Sequence, residues 1–104
     1  MVHLYREEIE GIKKVAFEQL GPKGCVRLFG VRLEDSKSAT KIGSRIDLLF
    51  ETPEVLPNRL KTLHKIYAEL IYELEGADLE VQLKDAQTPS NEYDQNALKN
   101  GVML

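Results

Sequence analysis

Two neighbouring stretches decide the fold of this chain: Val26-Arg27-Leu28-Phe29-Gly30-Val31-Arg32-Leu33-Glu34-Asp35-Ser36-Lys37 and Gly43-Ser44-Arg45-Ile46-Asp47-Leu48-Leu49-Phe50-Glu51. The first predicts an apolar strand from Cys25 to Phe29 that ends in a glycine turn and a polar loop. The second predicts a strand from Arg45 to Glu51, and because successive side chains on a strand point to opposite faces, it has an apolar face and a face that carries one aspartate. The apolar face consists of Ile46, Leu48 and Phe50. The face with the aspartate consists of Arg45, Asp47, Leu49 and Glu51.

Helical patterns lie on both sides of these strands. Residues 4–20 carry apolar side chains at helical spacing, and Gly21-Pro22 ends that helix. A longer helix follows Pro57 and is predicted to bury one broad apolar stripe. That stripe consists of Leu56, Leu60, Leu63, Ile66, Tyr67, Leu70, Ile71 and Leu74. We expect Gly76 to end the helix.

The remainder of the chain predicts a third strand, a turn and a short last helix. Leu79, Val81 and Leu83 alternate with polar residues, as on a strand with one buried face. We predict a turn region at residues 86–91 and a short helix at residues 92–99, before the closing segment 101–104. A full helix joins the second and third strands, which favours parallel pairing between them, whereas a loop joins the first two and leaves antiparallel pairing open.

The predicted fold class is therefore α/β, more narrowly α+β: a small mixed β-sheet with helices packed mainly on one face. The 104 residues fit a single domain. The hydrophobic share of 42% and the charged share of 30% are those of a globular protein. The net charge of −3 argues against general nucleic-acid binding, which usually requires a basic excess.

Cysteine content and hydropathy favour a cytoplasmic protein. Cys25 is the only cysteine, which excludes an internal disulfide and fits a reducing compartment; a buried, inert thiol is the expected role. No apolar run is long enough to span a bilayer, so we expect no membrane association by a spanning helix. We expect no apolar signal segment at the N-terminus, where Glu7, Glu8 and Glu10 come early.

The order of these motifs resembles the minimal nucleotidyltransferases of the DNA polymerase β superfamily, of the antitoxin type. In that family a strand ending in Leu-Phe-Gly-Ser-Arg precedes a strand that bears Asp-x-Asp. The resemblance runs from Cys25 to Val102 and rests on Leu28-Phe29-Gly30, Glu34-Asp35-Ser36-Lys37, Ile46-Asp47-Leu48-Leu49 and the helix after Leu56. It implies transfer of a nucleoside monophosphate from an NTP such as ATP, with Mg²⁺, to a protein or RNA acceptor.

The family's site residues carry over to this chain only in part. Gly30 matches the phosphate-loop glycine, Asp47 the second metal aspartate, and Glu80 the third acid, with Asp78 its near neighbour. The resemblance thus implies Asp47 and Glu80 as catalytic and metal-binding residues. It also implies that the nucleotide contacts Gly30, Val31, Arg32 and Arg45. Val31 stands where the family has serine, and Arg45 where it has the first aspartate.

These two departures predict an impaired metal site. Replacing a carboxylate with a guanidinium changes the local charge by two units, which at ~4–7 Å and an effective dielectric near 20 amounts to several kcal/mol of repulsion toward a divalent ion. We expect Arg45 either to pair with Asp47 or to hold a phosphate without metal. Asp47 and Glu80 could instead be solvent-facing strand acids.

The sequence leaves three functions open. The first is a nucleotidyltransferase with Mg²⁺ and NTP as cofactors. The second is a non-catalytic interaction module, without any cofactor, that binds a small helical partner of the HEPN toxin type, as family members do, or forms a homo-oligomer. The third is an unrelated small α/β domain. A basic rim of Lys23, Arg27, Arg32, Lys37 and Lys41 could attract an NTP or an RNA end, or could be an ordinary solvated face. Tyr67 and Tyr72 are predicted to pack on the long helix.

Overall fold

The computed structural model describes residues 4–30, 45–75, 77–88 and 101–104. In chain order these residues form α1 (Arg6–Leu20), β1 (Cys25–Phe29), β2 (Ile46–Glu51), α2 (Arg59–Glu73), β3 (Leu79–Lys84) and β4 (Val102–Met103). The strands form one sheet in the order β3-β2-β1-β4. β1 pairs antiparallel with β2 and β4, and β2 pairs parallel with β3. The sheet is therefore mixed, as predicted.

Both helices pack on the same face of this sheet, which confirms the predicted fold class. The core consists of alternate residues of β1, β2 and β3 against the buried sides of α1 and α2. Its strand residues are Val26, Leu28, Ile46, Leu48, Phe50, Val81 and Leu83, and its helix residues are Ile12, Val15, Ala16, Leu20, Ile66, Leu70 and Leu74. The period of two in the strands and the helical spacing in α1 and α2 thus converge on one core.

Local signals fix the ends of the helices. In α1 the backbone N–H of Tyr5 donates to Glu8 Oε1 at 2.8 Å, and at the other end Gly21, with φ 77°, donates its N–H to the Phe17 carbonyl at 2.9 Å. In α2 the Asn58 side chain accepts from the Lys61 N–H at 3.1 Å and caps the helix. The helix therefore begins after Pro57, as predicted, and Leu56 of the predicted stripe precedes it. α2 ends at Glu73, before the predicted end at Gly76. Gly76, residues 89–91 of the predicted turn and the predicted helix 92–99 lie outside the described residues.

The apolar stripe of α2 is narrower than the sequence predicted. Leu60 and Ile71 are 55% and 52% exposed, whereas Ile66 and Leu70 are fully buried. At 100° per residue the predicted stripe spans a wider arc of the helix surface than a small sheet covers, so its margin stays in solvent. The prediction that Tyr72 packs was also wrong, because this side chain is 83% exposed.

Tyr67 does pack, and its hydroxyl closes the outer edge of β3. The hydroxyl accepts from the Val81 N–H at 2.9 Å and lies 3.4 Å from the Val81 carbonyl, while Arg59 Nη1 donates to the Leu83 carbonyl at 3.1 Å. Among the described strands, β3 pairs only with β2, so these side chains occupy backbone groups that an edge strand otherwise offers to another chain.

We predict that Tyr67→Phe lowers the free energy of unfolding by about 1–2 kcal/mol, because it leaves two backbone groups of a nearly buried residue without their partner. Urea denaturation followed by circular dichroism measures the change. Tyr72→Phe is the matched control on the same helix and should leave stability unchanged. Equal effects of the two substitutions would contradict the assigned role of the Tyr67 hydroxyl.

Candidate functional site

Gly30 and Asp47 meet where β1 ends. Phe29, the last residue of β1, is the register partner of Asp47, and Gly30 follows it with φ 75°, a backbone conformation that favours glycine. A Cβ atom at position 30 would overlap Asp47 Oδ2. Glycine is therefore required twice over, once for the turn and once for the close approach of the backbone to the carboxylate.

Asp47 is held by Arg45 and is buried. The Asp47 residue is 1% exposed, and Arg45 Nε donates to Asp47 Oδ1 at 2.8 Å while the Arg45 side chain remains 52% exposed. The pairing expected from their spacing on one strand face is confirmed. Asp47 Oδ2 is also buried, and within the described part of the chain it has no hydrogen-bond partner. The alternative that Asp47 is a solvent-facing strand acid is therefore wrong.

Glu80 and Asp78 contribute negative charge next to Asp47. Glu80 is the parallel register partner of Asp47 and is partly buried; its Oε1 accepts from Gln82 Nε2 at 3.3 Å. Burial raises the pKa of Asp47 above its ordinary value, and Glu80 and Asp78 act in the same direction. Arg45 opposes this change but does not cancel it. Among the residues that the structure describes, the site therefore combines a confined carboxylate, a cation and two further acids.

This arrangement does not fit a Mg²⁺ ion in the way the family resemblance implies. Magnesium takes hard oxygen ligands, usually one or two carboxylates together with phosphate oxygens and waters. One Asp47 oxygen is engaged by a guanidinium, and the other lies against the Gly30 backbone. Across residues 4–30, 45–75, 77–88 and 101–104, no three His, Cys, Asp or Glu side chains are grouped for metal binding. The residues present favour a guanidinium, not a divalent cation, at this carboxylate.

Four of the predicted site residues thus come together: Gly30, Arg45, Asp47 and Glu80. Val31 and Arg32 lie outside the described residues. Within the predicted basic rim, Lys23 lies 3.8 Å from Glu54 and Arg27 lies 3.0 Å from Glu51, so two of its members are charge-paired. The other three members fall in the segment 31–44, which is not described.

A second polar cluster on the same strand face was missed by the sequence interpretation. Glu51 Oε1 accepts from Arg27 Nε at 3.0 Å and from the Cys25 thiol at 3.3 Å, across the antiparallel β1–β2 pair. The signal was present, because Cys25 and Arg27 alternate with the core residues of β1. Burial, followed by the hydrogen bond to Glu51, raises the pKa of Cys25 to about 11. The thiol therefore stays protonated near neutral pH and is a poor nucleophile.

No protein-family model and no curated protein matches this chain. In the part of the chain that the structure describes, neither helix is long and apolar enough to cross a membrane.

The raised pKa of Asp47 predicts a pH-dependent effect of Asp47→Asn. An acid whose pKa is higher in the folded state contributes most stability below its unfolded pKa, near 4, and loses this contribution as the pH rises through the folded pKa. The stability of Asp47→Asn relative to the natural protein should therefore increase from pH 4 to pH 7. Urea denaturation at several pH values measures this difference.

Asp78→Asn removes an exposed carboxyl beside the site and controls for the loss of one negative charge. If Asp47→Asn became relatively less stable as the pH rises, with Asp78→Asn unchanged, burial would not be the dominant influence on the Asp47 carboxyl.

Proposed function

We propose that this chain is a nucleotidyltransferase-like protein in which the metal-dependent transfer of a nucleoside monophosphate from an NTP is impaired. The observation that carries the proposal is the contact of 2.8 Å between Arg45 Nε and Asp47 Oδ1. The small mixed sheet with both helices on one face, and the Gly30 turn against Asp47, support the resemblance to the nucleotidyltransferases. The buried Arg45–Asp47 contact supports the impairment.

The charge at this site decides between a cation and an anion as the bound group. A Mg²⁺ ion placed beside Asp47 would lie a few ångströms from the Arg45 guanidinium. At ~4–5 Å and an effective dielectric near 20, the repulsion between the two cations is about 3–4 kcal/mol for each unit of charge on the metal ion. A phosphate oxygen, by contrast, would find a planar donor that is more than half exposed. Arg45, oriented by Asp47, is thus the group at this site that would contact a phosphate, although Asp47, Glu80 and Asp78 make the described part of the site acidic as a whole.

Nucleotide binding by the natural protein should be weak and independent of Mg²⁺. Isothermal titration with ATP should show weak binding at most, and Mg²⁺ should not strengthen it, because the metal gains no free carboxylate edge at Asp47. Arg45→Gln should weaken whatever binding is present, since it removes the exposed cation. Mg²⁺-strengthened ATP binding that disappears in Asp47→Ala but persists in the control Asp78→Ala would overturn the impairment.

Restoring the two family residues should restore metal-dependent nucleotide binding. Arg45→Asp together with Val31→Ser restores the two residues that the family pattern has, and Asp47 then gains a second carboxylate two residues away on the same strand face. We expect the double variant to bind Mg-ATP more tightly than the natural protein, by at least tenfold. Arg45→Gln with Val31→Ser is the control, because it removes the guanidinium without adding a ligand.

Transfer of labelled AMP to a co-purified protein or RNA acceptor provides the activity readout for the same variants. If the natural protein already transfers AMP at the level of the double variant, the site is competent with Arg45 in place and the proposed impairment is wrong.

A second candidate function is a non-catalytic interaction module, and it is favoured by the exposed apolar side chains on α2. The family resemblance suggests a small all-helical partner of the HEPN type. Co-purification with such a protein, encoded beside this chain, would support the module. In that case Asp47→Ala should leave the complex intact, whereas substitutions on the exposed face of α2 should weaken it.

A further inference from the structure

The two edges of the described sheet differ in how their outward backbone groups are engaged. At the β3 edge the Tyr67 hydroxyl and the Arg59 guanidinium contact the backbone. β4 forms the opposite edge, and its residues Val102 and Met103 are 43% and 51% exposed. An exposed edge strand offers its backbone groups to another extended segment. The β4 edge is therefore where this sheet can take up a further strand.

The strand register identifies Met103 as the β4 residue whose backbone faces outward. The Leu104 N–H donates to the Val26 carbonyl at 3.0 Å, and these two residues continue the antiparallel register of β1 with β4. In an antiparallel ladder, pairs that exchange hydrogen bonds alternate with pairs that do not. The Arg27–Met103 pair is therefore of the second kind, and the N–H and carbonyl of Met103 point away from β1. Neither group has a hydrogen-bond partner among the described residues.

An apolar groove lies beside this edge, on the face of the sheet that carries the helices. It has a volume of about 350 Å³ and lies between the C-terminal half of α1 and the end of β4. Its lining includes Phe17, which is 64% exposed, and Leu104, which also packs against the core. Because side chains alternate between the faces of a strand, an added strand directs the two neighbours of the residue opposite Met103 toward the groove.

Lys13 places a positive charge at this groove. Its side chain is exposed, lines the groove and belongs to no ion pair among the described residues. Lys13 and Phe17 are four positions apart on α1, so their Cβ atoms are about 5–6 Å apart. Side chains two positions apart on a strand are about 6.4–6.8 Å apart. An extended segment can therefore place an apolar side chain beside Phe17 and an acidic side chain beside Lys13.

The chain directions set the order of these two side chains. The short segment 21–24 joins α1 to β1, so the helix and this strand run in opposite directions. β4 is antiparallel to β1 and therefore runs with α1. Phe17 consequently lies toward the Leu104 end of β4, and Lys13 lies one helical turn back, toward the Val102 end. A strand that runs antiparallel to β4 passes Phe17 before it passes Lys13.

We propose that β4 binds an extended segment of a partner protein as an added antiparallel strand. The segment carries an apolar side chain for the groove and, two residues later, a carboxylate for Lys13. The residue between them exchanges two backbone hydrogen bonds with Met103, and antiparallel pairing is the more stable kind per residue. In this mode of recognition the main-chain bonds supply affinity and the side chains supply specificity. None of these residues belongs to the Asp47 site, so the binding is independent of the nucleotide chemistry.

A nuclear magnetic resonance titration with the peptide acetyl-Ser-Thr-Leu-Thr-Glu-Thr-Ser-amide tests this binding. We expect shifts of the amide signals of Met103 and Leu104 in ¹⁵N-labelled protein, with a dissociation constant of roughly 0.1–1 mM for so short a contact. The peptide acetyl-Ser-Thr-Glu-Thr-Leu-Thr-Ser-amide exchanges the two side chains and should bind about threefold more weakly or worse. The absence of shifts at about 5 mM peptide, or equal binding of both peptides, overturns the proposal.

A proline substitution tests the backbone contact. Met103→Pro removes the outward N–H but leaves the bonds between β1 and β4 in place, because proline is tolerated on an edge strand where its N–H would face solvent. It should weaken peptide binding about fivefold or more, whereas Met103→Leu, which keeps the N–H, should change it less than about twofold. Unchanged amide signals of β2 and β3 verify that the proline variant is folded. Undiminished binding by the folded proline variant overturns the strand addition.

A charge exchange tests the side-chain contact and does not depend on the proline variant. Lys13→Glu should weaken the binding of the first peptide about threefold or more, and a version of that peptide with lysine in place of glutamate should recover it. Lys61→Glu, an equally exposed change on α2, is the control and should leave binding unaltered. Equal effects of Lys13→Glu and Lys61→Glu, or no recovery with the lysine peptide, overturn the Lys13 contact.

Discussion

The structure around the candidate site depends on one constraint: a buried aspartate confined between a guanidinium and a glycine backbone. Asp47 sits on β2 with 1% of its surface exposed, and its two oxygens face Arg45 and Gly30. A buried carboxylate is costly unless its charge is compensated, and among the described residues the half-exposed Arg45 guanidinium provides compensation. Burial, Glu80 and Asp78 together still raise the pKa of Asp47. The same contact that makes the buried acid tolerable also occupies the oxygen that a metal ion would need.

The two faces of the sheet carry different kinds of residues. One face is apolar and packs against both helices, and it accounts for the core. The other carries the Arg45–Asp47 and Arg27–Glu51 pairs, with Leu49 fully buried between them along β2. Because side chains alternate along each strand, a change of one position in the strand register would exchange these faces. The core therefore fixes which residues reach the candidate site.

Most of the fold followed from the sequence because its signals are local. Glycines bound β1 on both sides, and the helix between β2 and β3 requires a parallel return. The two-residue spacing predicted that Arg45 and Asp47 share a strand face, but it left pairing with Asp47 and phosphate binding as alternatives for Arg45; the contact at 2.8 Å shows the pairing. The exposure of Leu60, Ile71 and Tyr72 could not be predicted in this way, because periodicity gives the angle of a residue around a helix but not how much of that helix the sheet covers. The two residues of β4 carry no strand pattern of their own; their pairing with Arg27 and Leu28 defines them.

The burial of Asp47 illustrates the same limit at the site. Alternation placed it correctly on the second face of β2, but the sequence gives no measure of what covers that face. The closeness of Gly30 to Asp47 Oδ2 likewise depends on the antiparallel register of Phe29 with Asp47, which is a tertiary property. The position of Glu80 beside Asp47 follows from the parallel register of β2 with β3, and it agrees with the neighbouring placement that the sequence predicted.

Nuclear magnetic resonance with Mn²⁺ is the sharpest way to learn whether Arg45 keeps divalent metal away from Asp47. Mn²⁺ broadens the signals of nuclei close to it, so substoichiometric Mn²⁺ with ATP added to ¹⁵N-labelled protein reports whether an ion settles at the site. We expect no selective loss of the Gly30, Asp47 and Glu80 amide signals in the natural protein. Selective loss of those three signals, at Mn²⁺ concentrations that leave exposed acids such as Glu75 unaffected, would contradict it.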